Sequence, residues 1–204
     1  MKRFSSLLLI SVIFAGISMS FISSNSGERA SYSVDIKESK IGWTGYKVTG
    51  KHTGNISLKS GTLTFEGEKL VGGNFDIDMN SITCTDMQGE YGDKLVGHLK
   101  SDDFFGVANH PVARFSMTNV IYQGTQGSYK ILGDLTIKGI TKPIKFFAKV
   151  VQNQGAGYTS SAKIVVDRSE YDVRFGSGSF FDSLGDKTIY DEFDLEVNLV
   201  TSTK

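Results

Sequence analysis

Apolar and polar residues alternate with a period of two over most of the chain. The clearest alternation lies at residues 75–79, 115–117, 129–137, 144–150, 162–166 and 193–199. A period of two is typical of β-strands that have one dry face and one solvated face, because successive side chains point to opposite sides of a strand. The pattern therefore predicts an all-β protein.

Further strands are predicted nearer the N-terminus, at residues 32–36, 41–48, 54–58 and 62–65. This makes about eight to ten strands, joined by short Gly-rich turns. An antiparallel sheet of this size tends to close into a barrel, because closure removes the exposed edges. A barrel of about eight strands has an interior that holds either packed side chains or one small ligand.

One stretch of the chain departs from the alternation. Leu95 and Leu99 have helical spacing, which predicts a short helix at about residues 92–100. Phe104 and Phe105 follow the helix, and we expect both to pack down onto the barrel. The helix and the two aromatic rings are predicted to cap one end of the barrel.

The first 26 residues have the features of an export signal. Lys2 and Arg3 precede an uncharged run that ends among serines suited to cleavage. We expect a signal peptide at residues 1–26, a domain at residues 31–204 and a periplasmic location. The alternative is an uncleaved anchor, since about 20 apolar residues span a bilayer.

Charge and cysteine content narrow the class of partner and compartment. Removing Lys2 and Arg3 from the 22 basic residues leaves 20, against 22 acidic residues, so we expect no nucleic-acid partner. Cys84 is the single cysteine and cannot form an internal disulfide. A Gram-negative periplasm fits this better than a eukaryotic secreted setting.

The histidines do not predict a metal site. His52, His98 and His110 are far apart and have none of the paired spacings typical of zinc ligands, so we expect no metal and no cofactor. His98 lies at the end of the predicted helix, where an ordinary role is to favour the helix dipole. No G-x-S-x-G nucleophile motif is present.

Arg168 is the residue most difficult to explain as a surface residue. It follows the strand at residues 162–167 and lies two positions after the inward-facing Val166. Alternate residues of a strand share a face, so the Arg168 side chain should also point inward. An inward arginine is costly unless it meets a carboxylate or an anionic ligand group. Arg168 is therefore expected to pair with Asp172 or Asp191 and clamp two strands, or to contact a ligand headgroup.

Three segments carry a family resemblance. They are GHLKSDDFFGVANHPVARF at residues 97–115, GDLTIKGITKPIKF at 133–146 and DRSEYDVRFGSGSFFDSLGDKTIYDEFDLEVNL at 167–199. With them the chain resembles the YceI family of bacterial periplasmic, polyisoprenoid-binding, lipocalin-like proteins. Gly106 and His110 depart from the family pattern, where an acidic and an aromatic residue are common.

The resemblance implies an extended antiparallel eight-stranded lipocalin-like barrel with no established catalytic activity. Its apolar tunnel would hold a polyisoprenoid or another long-chain amphiphilic lipid. The expected tail contacts are the large apolar residues of the dry faces, namely Trp43, Phe65, Phe75, Ile77, Met79, Phe115, Met117, Leu135, Ile137, Phe146, Ile164 and Val166. The expected headgroup contacts are His98, Lys100 and Arg168.

Two other functions compete with a lipid carrier. One is an enzyme that acts on a lipid or small metabolite at a site formed by His98, Asp103 and Arg168. The other is a barrel with a filled interior that serves as a protein-interaction module. The sequence also leaves open whether the chain works alone or as a homodimer.

Overall fold

The computed structural model describes residues 27–153 and 157–201. The predicted signal at residues 1–26 lies outside the described residues. The described part contains the strands β1 (Arg29–Ser33), β2 (Lys40–Lys47), β3 (Gly50–Glu66), β4 (Lys69–Cys84), β5 (Val112–Tyr122), β6 (Ser128–Ile137), β7 (Ile140–Gln152), β8 (Tyr158–Asp167) and β9 (Ile189–Val200). It also contains the helix α1 (Glu90–Lys100) and short 3-10 helices at Arg168–Tyr171 and Gly185–Lys187.

The strands form one closed antiparallel barrel. Hydrogen-bonded neighbours run in the order β3-β2-β9-β8-β7-β6-β5-β4, and β4 pairs back with β3. β1 is a ninth strand, but it pairs with the part of β3 that β2 does not reach. β1 and β2 therefore share one position in the wall, and the barrel is eight-stranded. The predicted all-β barrel is confirmed.

β3 differs from the prediction, which divided it into two strands. The strand runs without interruption through Gly61. A Cβ atom at Gly61 would lie 2.9 Å from the Phe75 ring and 3.0 Å from a Val34 methyl group. This glycine therefore allows close packing of neighbouring side chains, whereas the prediction took the surrounding segment for a connection between strands.

The inward faces follow the predicted alternation. Phe75, Phe115 and Leu135 are paired across β4, β5 and β6, and all three are buried. Gly133 lies two residues away on the same inward face, where an added Cβ would come within 2.4 Å of the Phe115 ring. The gap in side chains at Gly133 is thus filled by the ring of Phe115.

One end of the barrel is closed by aromatic rings. Phe65 and Tyr158 stack with their centroids 3.6 Å apart, and Tyr32 packs edge-on against both. Phe65 and Tyr158 are buried. We call these three residues the aromatic seal. Because stacked and edge-on rings pack without gaps, the seal closes this end to a ligand.

The other end carries α1, as predicted, and the helix begins two residues earlier than expected. Leu99 on the helix and Phe104 just after it are both buried. The Ser101 hydroxyl donates a hydrogen bond of 2.8 Å to the His98 carbonyl and ends the helix. No helix among the described residues has the length and apolar character needed to cross a membrane.

Candidate functional site

The barrel encloses an elongated apolar cavity. Its volume is about 200 Å³. One water needs about 10–15 Å³ on the same basis. All eight wall positions contribute side chains, and apart from the Trp43 indole only Ser160, Arg168 and Tyr190 are polar. Such a wall favours an apolar guest over water.

Most of the predicted tail contacts lie in the cavity wall. The residues found there are Trp43, Phe75, Ile77, Met79, Phe115, Met117, Leu135, Ile137, Phe146, Ile164 and Val166. Phe65 also points inward, but it belongs to the aromatic seal beyond the end of the cavity. That these residues contact a ligand stays a prediction.

The sequence interpretation left several wall residues out of the site. Phe193 and Leu195 line the cavity, and their alternation along β9 was a sufficient signal for including them. Ile189 also lines it and has the same odd parity as Phe193 and Leu195, so the alternation was a sufficient signal for Ile189 as well. Tyr190 lines the cavity outside this alternation, where the register of β9 with β2 is irregular, and no local pattern could have identified it.

Arg168 points inward as parity predicted and is only 3% exposed. Its Nε donates to the carbonyl of Tyr190 (3.2 Å), Nη1 donates to those of Val173 and Phe175 (2.9 Å each), and Nη2 donates to that of Ile189 (3.1 Å). Nη2 also lies 3.3 Å from Asp191 Oδ1.

Four of the five guanidinium N–H groups of Arg168 thus donate to backbone carbonyls, whereas the contact with Asp191 Oδ1 is an ion pair without a hydrogen bond. Burial lowers the pKa of Arg168, although Asp191 and Asp167 act in the opposite direction. Of the two predicted carboxylate partners, Asp191 is the one found, because Asp172 pairs with Arg174. The geometry favours a clamp between the β8–β9 loop and the start of β9, and a headgroup contact stays a prediction.

His98 and Lys100 lie in the last turn of α1 and are not part of the cavity wall. The His98 ring packs edge-on against Phe175 at 4.4 Å and against Phe104 at 5.7 Å. Lys100 Nζ donates a hydrogen bond of 2.7 Å to the Asn80 carbonyl. That either residue contacts a headgroup stays a prediction.

The residues of the proposed enzyme site do not form one cluster. Asp103 is exposed, and within the described residues no hydrogen bond or ion pair joins it to His98 or Arg168. General acid–base chemistry needs groups within hydrogen-bonding reach of one reacting atom. The structure therefore offers this alternative no assembled site.

The cavity wall reaches the protein surface where the pairing of β2 with β9 is irregular. Gly45 pairs with Phe193 and Lys47 pairs with Ile189, so Tyr46 alone faces three residues of β9. A Cβ atom at Gly45 would meet no atom within 4 Å. Tyr190 is 52% exposed and still lines the cavity. We call Gly45, Ile189 and Tyr190 the mouth.

A polar cluster lies away from the cavity, where β3 and β4 meet. Asp86 accepts hydrogen bonds from the Thr53 backbone N–H (2.9 Å) and the Cys84 thiol (3.3 Å), and His52 Nδ1 lies 2.9 Å from its other oxygen. Desolvation acts to raise the pKa of Asp86, but these three hydrogen bonds outweigh it and lower the pKa to about 2.

This cluster has the geometry of a fastening between strands. Burial raises the pKa of the Cys84 thiol, which disfavours the nucleophilic thiolate. Across residues 27–153 and 157–201, no three His, Cys, Asp or Glu side chains are grouped so that they could hold a metal ion. The described residues therefore present the cavity as the strongest candidate site.

Comparison with known proteins agrees with the fold and the motifs. The sequence pattern of the YceI-like domain matches residues 32–201. Protein YceI of Escherichia coli O157:H7 is 30% identical over 170 residues, which cover 76% of this chain and 82% of that protein. A UPF0312 protein of Shewanella denitrificans is 33% identical over 108 residues, covering 52% of this chain and 54% of that protein.

Two solved structures share the barrel. BcnA of Burkholderia cenocepacia superposes with a TM-score of 0.66 at 24% identity, covering 83% of this chain and 99% of that one. A polyisoprenoid-binding domain of Saccharophagus degradans, implicated in plant cell wall breakdown, superposes with a TM-score of 0.65 at 17% identity. The superposition covers 85% of this chain and 98% of that one. Since the domain match extends over nearly all of the described residues, this chain belongs to the YceI-like family.

Proposed function

We propose that this protein is a periplasmic carrier that encloses the tail of a polyisoprenoid or similar long-chain amphiphile in its barrel. The observation that carries the proposal is the cavity, which is hollow and almost wholly apolar. The name of the Saccharophagus degradans neighbour, a polyisoprenoid-binding domain, supports this class of cargo.

Apolar contact is sufficient to hold such a tail. Each CH₂ group removed from water contributes about 0.8 kcal/mol, so several isoprene units together provide tight binding. Met79 and Met117 lie in the wall, and their flexible side chains adapt to tails of different shape. We therefore expect the cavity to select for length and apolarity more than for one chemical structure.

The two ends of the barrel give the cargo a direction. Phe65 and Tyr158 of the aromatic seal close one end, whereas the mouth at Tyr190 is open. A tail would enter at the mouth and extend toward the seal. Its polar headgroup would remain at the mouth, beside Tyr190 and the solvated carboxylates of β9.

The other candidate functions have less support from the geometry. A filled interaction module is disfavoured by the hollow interior. An enzyme at His98, Asp103 and Arg168 is disfavoured because Arg168 donates to backbone carbonyls and His98 packs among aromatic rings. Binding without chemical change is the function that the cavity supports best.

Native mass spectrometry of protein released gently from its own host tests the cargo. We expect a co-purifying apolar mass that is lost after extraction with organic solvent. A second measurement uses Trp43, the single tryptophan, which lies in the cavity wall. Its fluorescence should change when a long-chain isoprenoid is added back to the stripped protein.

A protein that is consistently free of cargo and whose Trp43 emission does not respond to any long-chain apolar compound would contradict the proposal.

The periplasmic location of the protein is tested separately by osmotic shock of the host cells. The protein should appear in the released fraction, and its intact mass should correspond to loss of about the first 26 residues.

A further inference from the structure

Exposed aromatic side chains lie on the loop that is hydrogen-bonded to the mouth and on the mouth itself. Phe175, Phe180 and Phe181, in the loop between β8 and β9, are 46%, 39% and 49% exposed, and Tyr190 is 52% exposed. We call these four residues the aromatic rim. Clustered apolar side chains on the surface of a protein usually mark a surface that contacts something else, because their exposure to water is unfavourable.

The loop is fastened so that its rings stay at the mouth. The Ile189 N–H donates a hydrogen bond of 2.8 Å to the Gly176 carbonyl, and the Ser179 hydroxyl donates one of 2.6 Å to the Asp191 carboxylate. The backbone N–H groups of Phe180 and Phe181 both donate to the carbonyl of Ser177, which is fully buried. A fastened loop presents its rings with little further loss of conformational entropy on binding.

We propose that the aromatic rim inserts into the surface of a lipid bilayer and so places the mouth against the membrane. The choice of a bilayer rests on the proposed function and on continuity, since Tyr190 belongs to both the rim and the cavity wall. Cargo could then leave the membrane without its tail crossing water. Tyrosine is one of the two residue types that favour the interface between a bilayer and water, and phenylalanine is among the apolar residues that membrane-surface segments bury there.

The charges around the rim indicate which lipids it contacts. The loop at residues 168–188 contains three basic residues, Arg168, Arg174 and Lys187, against four acidic residues, Glu170, Asp172, Asp182 and Asp186. The Arg174 guanidinium lies over the Phe180 ring, 4.9 Å from its centroid. With no excess of positive charge, attraction to anionic lipids contributes little, and burial of apolar surface drives insertion. The rim should therefore bind neutral bilayers with little dependence on salt.

Flotation with phosphatidylcholine vesicles tests the proposal on the exported chain. We expect the wild-type protein to float with the vesicles. The double change Phe180→Ser and Phe181→Ser should weaken the association by about tenfold or more, because two partly exposed rings no longer become buried. The matched control is Phe147→Ser on the outer face of β7, where the ring is 64% exposed; association should be unchanged.

Three results would overturn the docking proposal. They are a wild-type protein that does not float, association that needs anionic lipid and disappears in high salt, and a Phe147 variant that loses as much as the double variant. Urea unfolding verifies that every variant is folded. Native mass spectrometry of the same samples separates the two proposals, since cargo without flotation overturns docking alone and flotation without cargo overturns the carrier function alone.

Discussion

At the residue scale, Arg168 shows how a buried charge serves the architecture. Parity along β8 sends its side chain inward, and the chain then returns so that four backbone carbonyls and Asp191 surround the guanidinium. Backbone carbonyl partners cannot be identified from residue types, because every residue has a backbone carbonyl. The sequence therefore predicted an inward arginine and a carboxylate partner, but it could not predict the carbonyls.

Replacing Arg168 by Ala should lower the free energy of unfolding by about 3 kcal/mol or more, because four buried or partly buried carbonyls lose their donor and Asp191 loses its ion-pair partner. Urea unfolding measures this loss. Arg174→Ala is the matched control, since Arg174 is exposed and pairs with Asp172 at the surface, and its effect should stay within about 0.5 kcal/mol. Equal effects for the two variants would show that Arg168 is not a clamp.

At the element scale, the long strands β3 and β4 are fastened at one end by Asp86. The side chain holds the start of β3 through the Thr53 N–H and approaches His52 on the same strand. These contacts join residues more than 30 positions apart, so they depend on the register of β3 with β4. The sequence predicted β3 as two shorter strands and only the middle of β4, and the register between the two long strands arises from the closure of the barrel.

The pKa of Asp86 predicts a specific dependence of stability on pH. Because folding lowers this pKa to about 2, the stabilisation is present above the ordinary pKa near 4 and is lost as the pH falls toward 2. Its side chain is 32% exposed, so solvent screening reduces the contribution to about 1 kcal/mol. Asp86→Asn should be less stable than the wild type by that amount at pH 7.

The difference between the Asp86 variant and the wild type should shrink between pH 4 and pH 2, as measured by urea unfolding across that range. Asp103→Asn, at an exposed position, is the control and should change stability by less than about 0.5 kcal/mol at pH 7. A stability gap that is constant from pH 7 to pH 2 would contradict the assigned role.

At the scale of the whole molecule, closure of the sheet converts eight dry strand faces into one cavity. Each face alone is only an apolar stripe, and none of them can bind a tail in isolation. The seal at one end and the mouth at the other then give the cavity its direction. The proposed carrier function would therefore belong to the barrel as a unit and not to a local motif.

Filling the cavity tests this view directly. Ala162 lines the cavity on β8, so Ala162→Phe should occupy space needed by a tail and reduce cargo binding at least tenfold, as measured through Trp43 fluorescence. Ser161→Phe places the same ring on the outer face of β8 and should bind cargo as the wild type does. Unchanged binding by the Ala162 variant would place the cargo elsewhere.

The sequence by itself determined the strands, their dry faces, the capping helix and the family. These features follow from a period of two, a short helical spacing and local motifs, all of which act between neighbouring residues. Nearly all of the expected tail contacts accordingly lie in the cavity wall, since the direction of a side chain along a strand is a local property.

The tertiary structure alone decided where the cavity ends and where it opens. Phe65 joins the seal because β3 extends beyond the cavity to meet Tyr158, and Tyr190 reaches the mouth because β9 has extra residues opposite Tyr46. Both depend on pairing between strands distant in sequence. Such pairing is set by the closure of the whole barrel. The sequence of a single strand does not specify which residue of the neighbouring strand will lie opposite each of its own residues.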